Sequence, residues 1–347
     1  MSPLARIALT LLLLVACGVC RAQSSPSTTP DESTVPEDED KKEWLDRAQQ
    51  DLYNSVWNSA MRLDRIFGSQ EPDVAYQQAS GSLAPGLLWD TFNGLRTLLR
   101  FHADLPLPQL NESFSAFIGR TNPLETVSEA APSSGAIPNQ FGPQQQDQTL
   151  FGIAYNQPQR QGGRFDAGAG VHVALPLDPY LKGSYIYELG SPDHGVFGWR
   201  ETVFYENSQG GVGVTSRLDF DRLVTQQLLF HWTGSTTLAQ RSYGWATYST
   251  FDALYAFPNR RAFAAELEID GDLHGSSSHD VVPLHDFGAK VAYRRSVLRD
   301  WLILEVRTSL DWPKDFPTQD RKINPGVGVG FEIFFGTDEF LARPITF

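Results

Sequence analysis

Apolar and polar positions alternate through most of the second half of this chain. From Trp301 onward, Leu304, Val306, Thr308, Leu310 and Trp312 fall on one face. Glu305, Arg307, Ser309 and Asp311 fall on the other. A period of two over so many residues is a strand pattern, because successive strand side chains point to opposite faces. The preceding run repeats it, with Phe287, Ala289, Val291 and Tyr293 against Gly288, Lys290, Ala292 and Arg294. A break at Leu298–Asp300 predicts a tight hairpin between the two runs. A Pro-, Asp- and Lys-rich loop then leads to a last strand over Gly326–Phe335.

The same pattern recurs upstream. Leu95, Thr97, Leu99 and Phe101 oppose Arg96, Arg100, His102 and Asp104. Val212, Val214, Leu218 and Phe220 oppose Arg217, Asp219 and Asp221, and Phe263, Ala265, Leu267 and Ile269 oppose Glu266, Glu268 and Asp270. Candidate strands also fall at Phe114–Gly119 and near 148–156, 163–174, 181–189, 198–207, 226–238 and 243–257. A soluble strand usually runs about 5–6 residues, whereas a tilted membrane-crossing strand needs about 9–11. These runs have the longer length, an apolar face, and aromatic ends such as Trp301, Trp312 and Tyr293. They predict an all-β fold, a transmembrane antiparallel β-barrel with an apolar outer wall and a polar interior. A large soluble β-sandwich or barrel is the competing architecture.

The candidates number thirteen, and single-chain bacterial barrels have even strand counts. The reading is twelve strands, with fourteen next; the runs between 148 and 198 are the least distinct. Connections at 223–226, 257–261 and 298–300 should be short periplasmic turns. The loops near 271–285 and 313–325 should be longer and external, and the 208–211 and 239–243 connections make a low rim.

Ahead of the strands the pattern changes three times. Residues 1–22 read as a secretory signal, with Arg6 followed by an apolar core. Cleavage after Cys20-Arg21-Ala22 is favoured over a lipoprotein-type site at Leu14-Val15-Ala16-Cys17. Residues 23–40, rich in Ser, Thr, Pro, Asp and Glu, read as a disordered acidic linker. Asp40 and Glu43 resemble a capping box, and Leu45, Ala48, Leu52, Val56, Leu63 and Ile66 form one helical stripe ended by Gly68. Residues 41–68 are thus expected to form a periplasmic amphipathic helix, covering the barrel mouth, plugging the lumen or docking a periplasmic partner. Residues 69–87 read as an irregular connector, 88–336 as the barrel, 337–347 as a tail, and 121–147 as a long exposed Pro-, Gln- and Ser-rich loop.

The blocks LHDFGAKVAYRRSVLRDWLILEVRTSLDWPKD and NPGVGVGFEIFFG resemble the C-terminal blocks of uncharacterised outer-membrane β-barrel proteins of proteobacteria. Gly330-Phe331-Glu332-Ile333-Phe334-Phe335 also resembles the last-strand signal read by barrel assembly machinery. Here the strand is followed by Thr337–Phe347, with Gly336 and Pro344 interrupting any single strand to the terminal Phe347. The resemblance implies a Gram-negative outer membrane, with its lipid and assembly machinery as partners. It implies no activity.

Composition narrows the function classes. The 347 residues carry a net charge of −13, which gives no basic footprint for nucleic acid. Both cysteines, Cys17 and Cys20, lie in the leader, which removes thiol and disulfide chemistry from the mature chain. No cofactor is indicated; Gly326-Val-Gly-Val-Gly-Phe sits in no βαβ unit and suits a curved closing strand.

Candidate chemistry then falls into three groups. The inward charges Arg96, Arg100, Arg217, Asp219, Asp221, Glu266, Glu268, Lys290, Arg294, Glu305, Arg307 and Asp311 either set the selectivity of a solute path or pair and fill the lumen. His274, His279 and His285, with Asp280 and Asp286, offer imidazole and carboxylate donors for Zn or Cu, at a spacing matching no compact motif. An outer-membrane lipid or ester hydrolase would need a Ser or Thr beside a held His. His102 and His231 read as inward-facing, and no Gly-x-Ser-x-Gly elbow occurs. The favoured reading is a non-enzymatic pore or envelope-structural barrel, with a hydrolase or a scaffold as alternatives.

Overall fold

The computed structural model describes residues 46–47, 49–50, 80–107, 113–131, 148–157, 163–173, 177–191, 194–207, 211–240, 244–258, 260–273, 282–314 and 316–336. The signal segment, the acidic linker, most of the 41–68 helix and the C-terminal tail lie outside these residues. Asp46, Arg47, Gln49 and Gln50 are helical.

Fourteen strands close one antiparallel barrel in sequential order, with β1 pairing β14. They are β1 Ser80–Asp90, β2 Gly94–Pro106, β3 Phe114–Thr121, β4 Gln148–Asn156, β5 Arg164–His172, β6 Asp178–Ser191 and β7 Gly195–Glu206. There follow β8 Gly211–Thr225, β9 Leu228–Ala239, β10 Trp245–Phe257, β11 Arg261–Leu273, β12 Asp286–Val297, β13 Arg299–Asp311 and β14 Asn324–Phe335. All thirteen runs identified by alternation are strands. The count is therefore fourteen rather than twelve, and the additional strand is β1, which takes the last eight positions of the expected connector 69–87. Its sequence, SGSLAPGLLWD, hides the period because small residues and Pro85 break the contrast between faces. The ladder from β1 to β14 has no pairs at Ala84 and Pro85, so the missing proline N–H falls where that ladder lapses.

Closure satisfies the edges of the sheet, and the twofold period then divides the side chains. Leu87, Leu181, Val203, Leu267, Val306 and Phe331 are exposed on the outside. Arg100, Arg217, Glu266, Lys290, Glu305 and Arg307 are buried on the inside. Exposed aromatics lie near both ends of the outer wall: Trp89, Tyr205 and Trp245 at one, Phe197 and Phe257 at the other. Tyr293 belongs to this outer face, but Trp301 is 8% exposed and has the inward parity of Glu305 and Arg307. The expected outward position of Trp301 is corrected by register: it is four residues from Glu305, an even step, and so shares its face.

The end of the barrel at Ser80 and Phe335 carries the tight turns, including Leu298 alone between β12 and β13 with φ 61°. The longer connections, at 122–147, 274–285 and 312–323, lie at the other end. Strands β3–β5 have only 8, 9 and 9 residues, so the wall on that side is short and the 122–147 connection leaves from it. Among the described residues no helix is long and apolar enough to cross a membrane.

Candidate functional site

The described start of that connection folds inward. Asn122 caps a single helical turn, Pro123–Thr126, by accepting a hydrogen bond from the Leu124 amide at 3.0 Å. Proline at the first helical position needs no donor there. The chain then runs through Val127, which is fully buried against Leu150, Tyr180 and Phe204. The expectation of an exposed loop over 121–147 is thus corrected for Asn122–Ala131. Its composition looks like solvent-facing loop, and its buried partners come from strands far away in sequence.

Glu129 anchors this segment. Its carboxylate lies 2.8 Å from Lys182 Nζ and 2.9 Å from Arg200 Nη1. It also accepts hydrogen bonds from Ser184 and Thr202 at 2.7 and 2.8 Å. The Arg217 guanidinium donates to the Glu129 carbonyl at 3.3 Å, and Ser235 Oγ donates to the Ala130 carbonyl at 2.5 Å. On the opposite side, Glu125 approaches Arg100 on β2 at 3.7 Å. The segment therefore reaches from β2 to β9 and crosses much of the lumen. Glu129 has φ 55°, a left-handed backbone that costs a non-glycine residue about 1–2 kcal/mol. Such a conformation persists where surrounding contacts over-determine it, as six polar contacts do here.

Glycines make the seat. A Cβ at Gly213 would come within 2.3 Å of the Phe204 ring, and one at Gly170 within 2.7 Å of the Tyr180 hydroxyl. The two aromatic rings that hold Val127 thus lie over backbone with no side chain.

The twelve lumen charges read from the sequence share the inward parity and sort into clusters. Arg96 meets Asp90 at 2.6 Å, and Arg217 meets Asp219 at 2.9 Å. Lys290 lies between Glu266 at 3.0 Å and Glu268 at 2.6 Å. Arg294 bridges Glu305 at 3.3 Å and Glu332, and Arg307 Nε is 4.0 Å from Glu305. Asp311 stands opposite Gly288 across the β12–β13 ladder. Directly opposed residues form a slanted row around the wall: Asp221, His231, Asp252, Glu266 and Lys290 on β8 to β12. Sequence reasoning missed Glu125, Glu129, Lys182, Arg200, Asp252 and Glu332. Alternation on β6 and β7 would have found Lys182 and Arg200; nothing local marks Glu129.

Of the three candidate metal-binding histidines, one lies among the described residues. His285 lies 2.9 Å from Asp272, while His274 and His279 are outside the described residues. His231 meets Asp221 at 2.6 Å and Thr233 Oγ1 at 2.8 Å, an arrangement that resembles an acid–base–hydroxyl set. Thr233 is fully buried and its hydroxyl donates to Asp219 at 2.7 Å. It also faces inward, away from the outer wall where a lipid substrate would lie. His102 pairs with Asp104 at 2.8 Å.

At the tight-turn end, Asp46 pairs with Arg299, and Gln49 Nε2 donates to the Phe334 carbonyl at 3.0 Å. The described part of the N-terminal helix thus contacts the barrel where β13 and β14 meet that rim.

No family model and no curated protein matches this sequence. Solved barrels with similar backbones include the anion-selective porin from Comamonas acidovorans, with 9% identity, 74% of this chain, 98% of that one and a TM-score of 0.44. The outer membrane channel DcaP of Acinetobacter baumannii has 10% identity, coverage of 74% and 96%, and a TM-score of 0.48. OprB of Pseudomonas putida has 8% identity, coverage of 75% and 94%, and a TM-score of 0.46. At these identities and scores, what assigns the fold of this chain is its own closed ladder of fourteen strands.

Proposed function

We propose that this protein is a non-enzymatic outer-membrane pore for small hydrophilic solutes, narrowed by Asn122–Ala131 and favouring cations. The observation that carries the reading is the charged, closed interior crossed by a segment tethered through Glu129. Fourteen strands about 4.8 Å apart, tilted about 40°, give a backbone radius of roughly 14 Å. Inward side chains and one crossing segment occupy part of that width, and in this reading the remainder is the solute path. The outer wall is apolar with aromatic ends, as a bilayer requires.

The cation preference rests on β10–β13. Their inward positions carry Asp252, Glu266, Glu268, Asp270, Asp272, Asp286, Glu305 and Asp311, eight carboxylates. Against them stand Lys290, Arg294, Arg299 and Arg307, four cations. On the other side of the lumen the Glu129 carboxylate neutralises part of the positive charge of Lys182 and Arg200. An excess of carboxylates in a confined lumen raises the local concentration of cations. In this reading the tight-turn end faces the periplasm, and Asp46 and Gln49 hold the N-terminal helix at that mouth. The inward, buried position of Thr233 favours the pore over a hydrolase.

The test is single-channel conductance of refolded protein in planar bilayers under a KCl gradient. Steady conductance with a reversal potential on the cation side supports the pore. Silence from protein verified as folded by heat-modifiable gel migration would sink it.

A further inference from the structure

We propose that His172, Asp178 and Glu206 form a binding site for a first-row divalent cation such as Zn²⁺. These residues sit at the long-connection ends of β5, β6 and β7, three consecutive strands. Each has the inward parity of its strand. His172 is directly opposite Asp178 across the β5–β6 ladder. Glu206 is opposite Tyr180 across the β6–β7 ladder, and Tyr180 is two residues from Asp178 on the same face. Cross-strand pairing thus gathers three donors spread over 34 positions of sequence, from His172 to Glu206. One imidazole nitrogen and two carboxylate oxygens lie within 4.8 Å of one another.

The second observation is the state of the donors. His172 is 1% exposed and Glu206 is 2% exposed. His172 Nε2 lies 2.8 Å from Glu206 Oε1, yet among the described residues neither ring nitrogen of His172, nor Glu206 Oε1, has a partner in hydrogen-bonding geometry. A buried imidazole with both nitrogens unsatisfied is costly, because buried polar groups normally find partners. A cation would take the lone pair of one of these nitrogens and the free oxygen of Glu206. The Tyr180 ring lies edge-on to His172 at 5.4 Å between centroids and packs against the imidazole.

The donor set selects the ion class. One imidazole and two carboxylates suit Zn²⁺ and its first-row neighbours, with a fourth position left for water. Ligand atoms around tetrahedral Zn²⁺ stand roughly 3.4 Å apart, so the present separations close or open by rotamer-scale movements. Tyr180 also helps to bury Val127 of the crossing segment. The ion would therefore brace three strand ends beside the seat of that segment. This inference does not rest on the pore reading, since its readouts are binding and stability.

The test uses full-length refolded protein in detergent, treated with EDTA and then titrated with Zn²⁺ or Co²⁺. The expected result is one tight equivalent per chain, visible d–d absorption with Co²⁺ displaced by Zn²⁺, and a raised melting temperature. His172→Gln and Glu206→Gln should weaken binding about a hundredfold or more, since even loss of an outer-shell partner costs 10–100-fold. The double variant His274→Ala with His279→Ala should keep the site. If the single variants fail to fold, zinc X-ray absorption on the unaltered protein still decides, because one imidazole with oxygen ligands is expected. No binding by folded protein would overturn the proposal. So would scattering from several imidazoles, or binding unchanged in folded His172→Gln, each of which places the metal elsewhere.

Discussion

Glu129 Oε1 lies 2.8 Å from Lys182 Nζ, and this contact ties the β3–β4 connection to the wall at β6. Both side chains are largely buried, and Arg200 shares the same carboxylate oxygen. Removing one member of such a cluster leaves the others buried and uncompensated, which costs about 3–5 kcal/mol. Glu129→Gln is therefore expected to loosen the crossing segment and expose the charge of Lys182 and Arg200. Single-channel recording should show larger or noisier conductance, and the reversal potential should move toward anions. An unchanged channel would remove Glu129 from its role as anchor.

The same contact sets a pH dependence. Burial alone pushes the Glu129 carboxyl up, but Lys182 and Arg200 beside it, with hydrogen bonds from Lys182 and Ser184, hold it well below the usual carboxylate range. A group depressed in the folded state contributes stability that is fully present above its unfolded value, about 4.3 for Glu. That contribution is lost as pH falls from there through the folded value. Docking of the segment should thus be constant from about pH 8 to pH 5 and weaken only in stronger acid. Limited proteolysis of the connection across this range checks it; cleavage that rises between pH 7 and pH 5 contradicts the assignment.

The seat of Val127 depends on absent side chains. A Cβ at Gly213 would fall 2.3 Å from the Phe204 ring. Gly213→Leu should displace that ring, unseat Val127 and increase proteolysis of the connection without preventing barrel closure. Gly198→Ala is the control, because its nearest neighbour would be the Asp219 Cβ at an ordinary 3.5 Å. Equal proteolysis of the two variants would mean that Phe204 does not hold the segment.

The outer wall makes its own prediction. Leu267 is 56% exposed near the middle of β11. If this face meets lipid, Leu267→Arg should destabilise the folded barrel by about 2–4 kcal/mol in bilayers. Urea titration in vesicles measures it. A change under half a kcal/mol would show that Leu267 meets water or protein instead.

How legible this protein is in its sequence follows from the range of the interactions concerned. Thirteen strands could be read because a strand with one face toward an apolar medium and one toward charges writes that contrast locally, as Glu266 and Leu267 do. Strand β1 could not, because Gly81, Ala84 and Gly86 carry too little side chain to mark a face, and Pro85 suggests a break. Its strand state comes from pairing with β2 and with β14, almost 250 residues away.

The sequence by itself determined the fold class, the alternating faces that carry the charges, and the contrast between short connections near 226, 258 and 298 and long ones near 274–285 and 312–323. Each follows from a period of two and from turn residues within a few positions. Only the tertiary structure decided the strand number, the inward path of Asn122–Ala131 and the meeting of His172, Asp178 and Glu206. Closure of the sheet makes neighbours of residues that no local pattern relates, so Glu129 meets Arg200 only once β3 through β7 have paired in register.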